Sequence, residues 1–270
     1  MDKILITSDV KLAKYAQESG VERIMVDLEM LGKEERQGHL NTVFSKHTLD
    51  DVQNIRKVID KSKLLVRVNP IHENSKDEID KVIALGADII MLPMFKTKEE
   101  VEDFIDFVDG RVTTNLLLET SQALVRIDDI LEVNGIDEIH IGLNDLHLSM
   151  GLTFMFELLS GGIVEYLSKK IVAKNIKFGF GGVARVGQGT LDATLILSEH
   201  YRLNSSMVIL SRDFKGYVES YNEIREKIDL KYEVEQIDKY MNILFANFYD
   251  NSKKLKYKVD EIVGIIRNDS

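Results

Sequence analysis

The chain has 270 residues, 44% of them hydrophobic, which is enough to bury one large core without a second domain. Its 35 basic and 45 acidic residues give a net charge of −10, which argues against a nucleic-acid partner or an anionic-membrane surface. There is no cysteine, so disulfides, cysteine nucleophiles and thiolate metal sites are excluded. The opening MDKILITSD predicts neither a signal peptide nor a spanning helix, and therefore a cytoplasmic location by default.

Short apolar runs alternate with longer segments of helical period, which is typical of β/α units on a parallel sheet. The eight predicted strands are Ile4 to Thr7, Arg23 to Leu28, Lys63 to Val68, Asp88 to Leu92, Asn115 to Leu118, Glu138 to Ile141, Lys177 to Phe180 and Met207 to Leu210. The predicted helices include Thr48 to Ile59, Ser75 to Leu85 and Thr97 to Val108. This count predicts a (β/α)8 TIM barrel, in the α/β class. A doubly wound open sheet is the alternative, but no GxGxxG follows the first strand.

After Asp213 the strand pattern stops and a helical pattern runs from Phe214 to Arg267, with a break signal at Asp250 to Ser252. We therefore predict a barrel core over residues 1–213 and additional C-terminal helices over 214–270, as an extension of the same domain. One apolar stripe repeats at helical spacing, formed by Val234, Ile237, Met241, Leu244 and Phe248. Two interpretations stay open, packing on the barrel or an oligomer contact.

Barrel enzymes carry their chemistry at the carboxyl-terminal ends of the strands, and here those ends are unusually polar. The candidates at these ends are Glu29, Arg67, Asn69, Pro93, Glu119, Asn144 and Asp145. Glu119 and Asp145 follow consecutive strands, and carboxylate oxygens are the ligands that hard divalent cations prefer. This pair predicts a metal site, although an acid after a strand can also be a helix N-cap.

The motifs at these strand ends resemble those of the HpcH/HpaI aldolase and citrate lyase superfamily. They are DLE at 27–29, RVN at 67–69, MLPM at 91–94, LLET at 117–120 and GLNDL at 142–146. The resemblance covers residues 4–212 and implies a pyruvate-kinase-like barrel that binds phosphoenolpyruvate or pyruvate. It also implies that Glu119 and Asp145 bind Mg²⁺, or Mn²⁺ or Co²⁺, with water and substrate oxygens completing the shell. Relatives are generally oligomers, so a homo-oligomer is expected.

Substrate contacts are predicted at two of these motifs. Arg67 is the candidate electrophile, because a guanidinium can hydrogen-bond a developing enolate oxygen, and Asn69 lies on the same face. A salt bridge from Arg67 to a neighbouring acid is the compatible alternative. By resemblance, backbone amides of the GLNDL turn, around Gly142, Leu143 and Asn144, hold the substrate carboxylate. Gly142 can equally serve only a tight turn.

The general base is not identified by the motifs. The aldolase branch has a histidine directly after the glutamate of its DLE motif, where this chain has Met30. The polar segment from Leu31 to His47 contains His39 and His47, which we take as candidate catalytic residues. For each of them a solvated surface position is the alternative. No predicted strand ends in a lysine that faces the mouth, so a Schiff-base route is not favoured.

A glycine-rich segment, GFGGVAR, follows the seventh predicted strand. Gly181 and Gly182 could cradle a phosphate by their backbone amides, with Arg185 and Arg212 adding positive charge. A tight strand-to-helix turn is the alternative. If the phosphate site is real, the substrate is phosphorylated or sugar-derived.

Together these features predict a metal-dependent carbon–carbon lyase or aldolase of the HpcH/HpaI type. It would act on a 2-oxo acid such as pyruvate, through the enolate, with an aldehyde as the second substrate. One alternative is a citryl- or malyl-CoA-like lyase or thioesterase. Another is a noncatalytic sugar-acid-binding or assembly protein, suggested by Met30 in place of the histidine and by the helical extension.

Overall fold

Eight parallel strands close into a barrel in sequence order in the computed structural model, which describes residues 1–31, 47–218, 220–243 and 248–268. The strands are β1 Asp2–Ile6, β2 Arg23–Asp27, β3 Lys63–Arg67, β4 Ile89–Leu92, β5 Thr113–Leu118, β6 Glu138–Ile141, β7 Lys177–Val183 and β8 Met207–Leu210. β1 pairs with β8, with Asp2 beside Met207 and Ile4 beside Ile209, so the sheet has no free edge. The predicted TIM barrel with additional C-terminal helices is confirmed.

Helices follow the strands and cover the outside of the barrel. The described helices are α1 Val10–Glu18, α2 Leu49–Arg56, α3 Ser75–Ala84, α4 Lys98–Val108, α5 Ser121–Val125, α6 Ile127–Ile130, α7 Leu143–Ser149, α8 Glu157–Ser160, α9 Ile163–Ala173, α10 Ala193–Leu203, α11 Tyr221–Lys227, α12 Leu230–Ile243 and α13 Phe248–Asn268, with a 3-10 helix at Arg212–Lys215. Thr97 and Glu100 form the capping box that begins α4. None of the described helices has the length and apolar character needed to cross a membrane.

The strands bury both of their faces, which is why they read as nearly continuous apolar runs. One set of side chains fills the barrel interior: Ile4, Met25, Leu65, Ile89, Met91, Leu117 and Met207. Neighbours that alternate with them, such as Ile24 and Leu64, face the helices and join the larger core. With the interior filled, the barrel is a packed scaffold, and a ligand is restricted to its rim.

The amino-terminal end of the barrel is closed by a buried ion pair. Arg23 on β2 donates to both carboxylate oxygens of Glu138 on β6, at 2.5 and 2.9 Å. Asn115 on β5 donates to the same carboxylate at 3.1 Å. These charges lie opposite the rim where catalytic residues are found in this fold, so we assign them to stability.

The C-terminal helices pack on the barrel. Val234 and Ile237 of the predicted stripe are fully buried, and Met241 packs against the core, which agrees with the packing interpretation for these three residues. Leu244 and the Phe248 side chain lie outside what the structure describes. On the same helix, Asp238 accepts a hydrogen bond at 2.8 Å from Lys3, a buried residue of β1.

The break predicted at Asp250 to Ser252 is wrong, because α13 is continuous from Phe248 to Asn268. Asn251 makes a contact with a barrel helix instead of ending α13. The Asn251 side-chain amide donates to the Ser198 hydroxyl of α10 at 2.9 Å. Polar residues at a helix contact and at a helix end look the same in a sequence.

Candidate active site

Asp27 and Arg67 form a two-contact ion pair at the carboxyl-terminal rim. They lie side by side because β2 and β3 pair in a register that sets Asp27 against Arg67. The Arg67 Nε and Nη2 atoms donate to the two Asp27 carboxylate oxygens, both at 2.8 Å. This forked geometry fixes the plane of the guanidinium. Asp27 was predicted at the polar end of the second strand, in the DLE motif, but without a role in the site, although its spacing of two residues from Glu29 was a usable signal.

Glu29 is the second carboxylate on Arg67. Its Oε2 atom lies 3.2 Å from Arg67 Nη1, and the Glu29 side chain is only 1% exposed. Burial lowers the pKa of Arg67, but the charges of Asp27 and Glu29 outweigh this and raise the pKa above its ordinary value. Arg67 is therefore a permanent cation. Its side chain is 14% exposed.

Glu119 follows β5 directly and is buried beside Gly142, the residue after β6. The two strands pair through Leu118 and Ile141, and the Gly142 amide donates to the Leu118 carbonyl at 2.9 Å. A Cβ on residue 142 would lie 2.9 Å from both the Cβ and the Oε2 atoms of Glu119. Glycine at 142 is therefore required for Glu119 to occupy this position, beyond any role in a turn.

The electrostatic surroundings of Glu119 oppose its ionisation. Burial is the largest cause that raises the pKa of Glu119 well above its ordinary value, and the negative charges of Asp145 and Glu29 raise it further. Arg67 and the Met94 amide act in the opposite direction without compensating. The Met94 N–H donates to Glu119 Oε1 at 3.2 Å, from a residue with φ of 55°. Such strained backbone is typical of functional sites, and here it orients a carboxylate.

Asp145 lies in the first turn of α7, the short helix that begins directly after Gly142. Gly142 is the N-cap of this helix, so Asp145 is not the cap. Its side chain is half-buried, and it accepts a hydrogen bond at 3.3 Å from the Asn144 side chain, which is exposed. Leu143 is buried and contributes only its backbone to the surface. The predicted meeting of Glu119 with the GLNDL turn is thus seen in the structure.

The remaining predicted residues of β2, β3 and β4 support the rim. Asn69 uses its amide internally, because its oxygen accepts from the Met30 and Leu31 amides at 2.9 and 3.0 Å and its nitrogen donates to Glu78 at 2.8 Å. Asn69 therefore holds the segment after β2. Pro93 is buried and precedes the strained Met94.

Of the two candidate histidines, His47 is described and His39 lies outside the described residues. The His47 Nδ1 atom accepts a hydrogen bond at 3.0 Å from the Asp27 amide. In the neutral ring this acceptor role at Nδ1 puts the proton on Nε2, so His47 is a donor at its other nitrogen. His47 is thus hydrogen-bonded to Asp27, the residue that binds the Arg67 guanidinium.

The glycine-rich segment differs from the prediction. β7 continues to Val183 instead of ending at Phe180, with a bulge between Gly179 and Gly182, so Gly181 and Gly182 belong to the strand and not to a loop. Arg185 is already paired, with Asp213 at 3.1 Å and with Glu233 of α12 at 3.3 Å. These acids were hidden from sequence analysis by their distance along the chain. The contacts give Arg185 a structural role, and the predicted phosphate contact has no support from this arrangement.

A divalent cation fits the chemistry of Glu119 and Asp145. A cation would relieve the repulsion that raises the Glu119 pKa, and carboxylate oxygens suit Mg²⁺ or Mn²⁺. Within the described ranges, no three His, Asp or Glu side chains are gathered as a ready-made metal site. Two carboxylates would leave coordination positions open for water and substrate, the arrangement expected of a catalytic and not a structural ion.

The match to a protein-family model decides the family. The model of the HpcH/HpaI aldolase/citrate lyase family matches residues 5–172, more than half of the chain. The chain belongs to this family. No curated protein sequence matches it significantly.

Solved structures show that this member has the HpcH/HpaI fold at low sequence identity. An HpcH/HpaI aldolase from Desulfitobacterium hafniense DCB-2 superposes with a TM-score of 0.62 at 13% identity, over 84% of this chain and 93% of that one. The citrate synthase SbnG gives 0.60 at 18% identity, over 87% and 94%. An HpcH/HpaI aldolase/citrate lyase family protein from Burkholderia cenocepacia J2315 gives 0.60 at 12% identity, over 89% and 93%. At these identities the likeness concerns the fold alone.

Proposed function

We propose that this HpcH/HpaI family member is a metal-dependent carbon–carbon lyase or aldolase that works through the enolate of a 2-oxo acid. The observation that carries the proposal is the gathering of four acids and Arg67 at one rim of the barrel. Glu29, Asp27 and Glu119 are each at most 3% exposed, Asp145 is the fourth acid, and Arg67 faces three of them. A bound divalent cation would offset part of the negative charge that these carboxylates bury.

Glu119 and Asp145 would hold Mg²⁺, Mn²⁺ or Co²⁺ at this cluster. When bound, the ion supplies Lewis-acid stabilisation of the charge that develops on the 2-oxo group. The Met94 amide and the absence of a side chain at Gly142 fix the position of Glu119 before any ligand arrives. Preorganisation of this kind reduces the reorganisation that the reaction requires.

Arg67 would hold the enolate oxygen of the substrate. Each of its three nitrogens contacts Asp27 or Glu29, but the guanidinium has five N–H groups, so Nη1 and Nη2 each carry a second N–H that could bind the substrate. In the cleavage direction a base takes the proton of the 4-hydroxyl group, and the bond between carbons 3 and 4 breaks. An aldehyde is released, and the bonding electrons pass to the enolate. A proton delivered to carbon 3 then completes the 2-oxo acid.

His47 would act as a hydrogen-bond donor to the substrate through Nε2, because the Asp27 amide occupies its Nδ1 lone pair. His39 stays a candidate for the base. The backbone amides at the start of α7 stay candidates for the substrate carboxylate, as the family resemblance implies. Replacing His47 and His39 one at a time and recording pH–rate profiles would assign the acidic and basic limbs.

Proton exchange tests the proposal directly. The purified protein would be incubated with pyruvate in D₂O, with Mg²⁺, Mn²⁺ or Co²⁺ and then with EDTA, and the methyl proton signal would be followed by NMR. We expect a metal-dependent loss of this signal in the wild type and none in Glu119→Gln. The matched control is Glu235→Gln, an exposed acid on α12, which should exchange like the wild type.

Exchange that persists in EDTA or in Glu119→Gln would contradict the metal-dependent mechanism. If pyruvate does not exchange under any metal, larger 2-oxo acids and acyl-CoA thioesters would be screened next, since a CoA-ester lyase or thioesterase is the alternative within the family. Absence of turnover with both classes, together with saturable binding of a sugar acid, would favour a binding protein.

A further inference from the structure

A separate groove lies outside the barrel mouth, between the segment that follows β7 and helix α13. It has a volume of about 770 Å³, which is within the range of small-molecule sites. One wall is the glycine-containing segment 187–192, and the other is a face of α13. Neither wall includes Glu119, Asp145 or Arg67, so the groove is distinct from the candidate active site.

The α13 wall presents positive charge in a chain whose net charge is −10. Lys253, Lys254 and Lys258 all line the groove. Lys258 is paired with Glu261 at 2.7 Å, whereas Lys253 and Lys254 are exposed and have no ion-pair partner among the described residues. Two unneutralised ammonium groups facing one groove favour an anionic ligand.

An aromatic ring lies between these lysines along the helix. Tyr257 lines the same groove and keeps 69% of its surface exposed. The spacing of residues 253, 254, 257 and 258 places them on one face of the helix, while Leu255 and Val259 are buried on the opposite face. An exposed ring beside cations is suited to stacking on a planar group.

The opposite wall offers hydrogen-bonding groups and room for a backbone approach. Gln188, Thr190 and Thr194 line it, and Gly187 has open space where a Cβ would lie. The Asp192 carboxylate is occupied by the Thr194 amide and hydroxyl, at 2.9 and 2.8 Å. Both contacts use one oxygen, and Asp192 stays exposed, so its charge offsets one of the three lysines that line the groove and the lining keeps a net positive charge.

We infer that this groove binds a nucleoside diphosphate or triphosphate. Lys253 and Lys254 contact the phosphates, Tyr257 stacks on the base, and the polar side chains of the opposite wall bind the sugar. Ammonium groups bind phosphate as point charges, and an exposed aromatic ring accepts any base, so the groove specifies the class and not the base. The inference does not depend on the reaction in the barrel mouth.

Equilibrium binding of ADP, GDP, CDP and UDP by calorimetry tests this inference, with EDTA present and at low ionic strength. Inorganic pyrophosphate and adenosine are the partial probes. We expect at least one diphosphate to bind more tightly than either partial probe. Lys253→Ala and Lys254→Ala should each weaken binding on the order of tenfold. Tyr257→Leu should weaken the nucleotide and leave pyrophosphate unchanged.

Two controls make the result decisive. Lys256→Ala removes an exposed lysine of the same helix that does not line the groove, and Glu119→Gln alters the barrel mouth; both should bind nucleotide like the wild type. The inference is overturned if no diphosphate binds, or if the lysine variants bind like Lys256→Ala. It is also overturned if Glu119→Gln abolishes binding, which would place the nucleotide in the mouth. Tighter binding of a single-stranded RNA than of any mononucleotide would assign the surface to nucleic acid instead.

Discussion

At the scale of single residues, the proposed metal ligand Glu119 acts against the stability of the folded protein. Its folded-state pKa lies above the ordinary value, mainly because it is buried. Between the ordinary pKa and the folded-state pKa the folded protein binds more protons than the unfolded chain. The stability of the metal-free protein therefore falls as pH rises through this window. A functional carboxylate that costs stability is the usual compromise at active sites.

Glu119→Gln removes this cost because the amide cannot ionise. We expect the free energy of unfolding in EDTA at neutral pH to rise. Stabilisation by Mn²⁺ should be lost in the same variant. Urea unfolding at several pH values, with EDTA or Mn²⁺, measures both effects. A variant that is less stable than the wild type at neutral pH would contradict the assignment.

Gly142→Ala tests whether residue 142 sets the position of Glu119. The added Cβ would lie 2.9 Å from two atoms of Glu119 and 3.2 Å from Leu117 Cδ1, so the carboxylate must move. We expect a destabilisation of about 1–3 kcal/mol and a larger fractional loss of metal-dependent activity. Gly264→Ala is the control, because a Cβ there meets no atom within 4 Å. Equal activity in the two variants would show that residue 142 does not position Glu119.

At the scale of elements, two buried histidines join β6, β7 and α10. His140 on β6 hydrogen-bonds the Gly181 carbonyl at 3.1 Å, and the His200 ring stacks on Phe180 at 3.7 Å between centroids. One nitrogen of each ring, Nδ1 of His140 and Nε2 of His200, is buried and has no hydrogen-bond partner among the described residues. Burial lowers the pKa of His140 to about 4 and that of His200 well below the ordinary value. Both rings are therefore neutral in the folded barrel.

This pair should make the barrel sensitive to mild acid. The unfolded chain binds a proton at His140 near pH 6.5 and the folded chain only near pH 4, so stability falls as pH decreases between these values. We expect His140 alone to contribute a loss of about 3 kcal/mol. His140→Gln keeps a donor for Gly181 and cannot titrate, so its unfolding free energy should depend less on pH in this window. An unchanged slope would show that His140 is solvated or already protonated.

The elements also show where sequence reasoning succeeds. The strands and the TIM barrel were predictable because apolar runs bounded by polar residues report burial, which is a local property of the chain. Glu119, Asp145 and Arg67 could be predicted to lie at one rim because the strand ends of this fold meet there, and their role in a site stays a prediction. The break at Asp250 to Ser252 and the early end of β7 were wrong, because polar residues and glycines there serve tertiary contacts.

The missed site residues were missed for a related reason. Asp27 binds Arg67 because the register of β2 and β3 places the two residues side by side. Met94 contributes its backbone amide, and the identity of its side chain gives no sign of this role. Arg185 was predicted to bind phosphate because its partners Asp213 and Glu233 are distant in sequence. The ion-pair partner of a charged residue is determined by the closed barrel. The neighbouring sequence does not reveal that partner.

At the scale of the whole molecule, Arg185 connects the barrel to its C-terminal helices. Arg185→Ala removes contacts with Asp213 on the rim and Glu233 on α12. We expect a loss of about 1 kcal/mol in unfolding free energy, modest because the groups are partly solvated, and little change in KM for the 2-oxo acid. Arg212→Ala, which removes an exposed arginine, is the control for stability. A large rise in KM with unchanged stability would instead restore the predicted phosphate contact.

The pairing of β1 with β8 has a consequence for how the protein is made. The backbone groups of residues 2–4 that face β8 have no hydrogen-bond partner until residues 207–209 have been synthesised. Until then the nascent chain carries two open sheet edges, which are templates for pairing with another chain. Residues 214–270 are translated only after β8, so the ribosome is still occupied while the seam closes. Codon changes that alter translation speed within this stretch should therefore change the soluble yield without changing the protein itself.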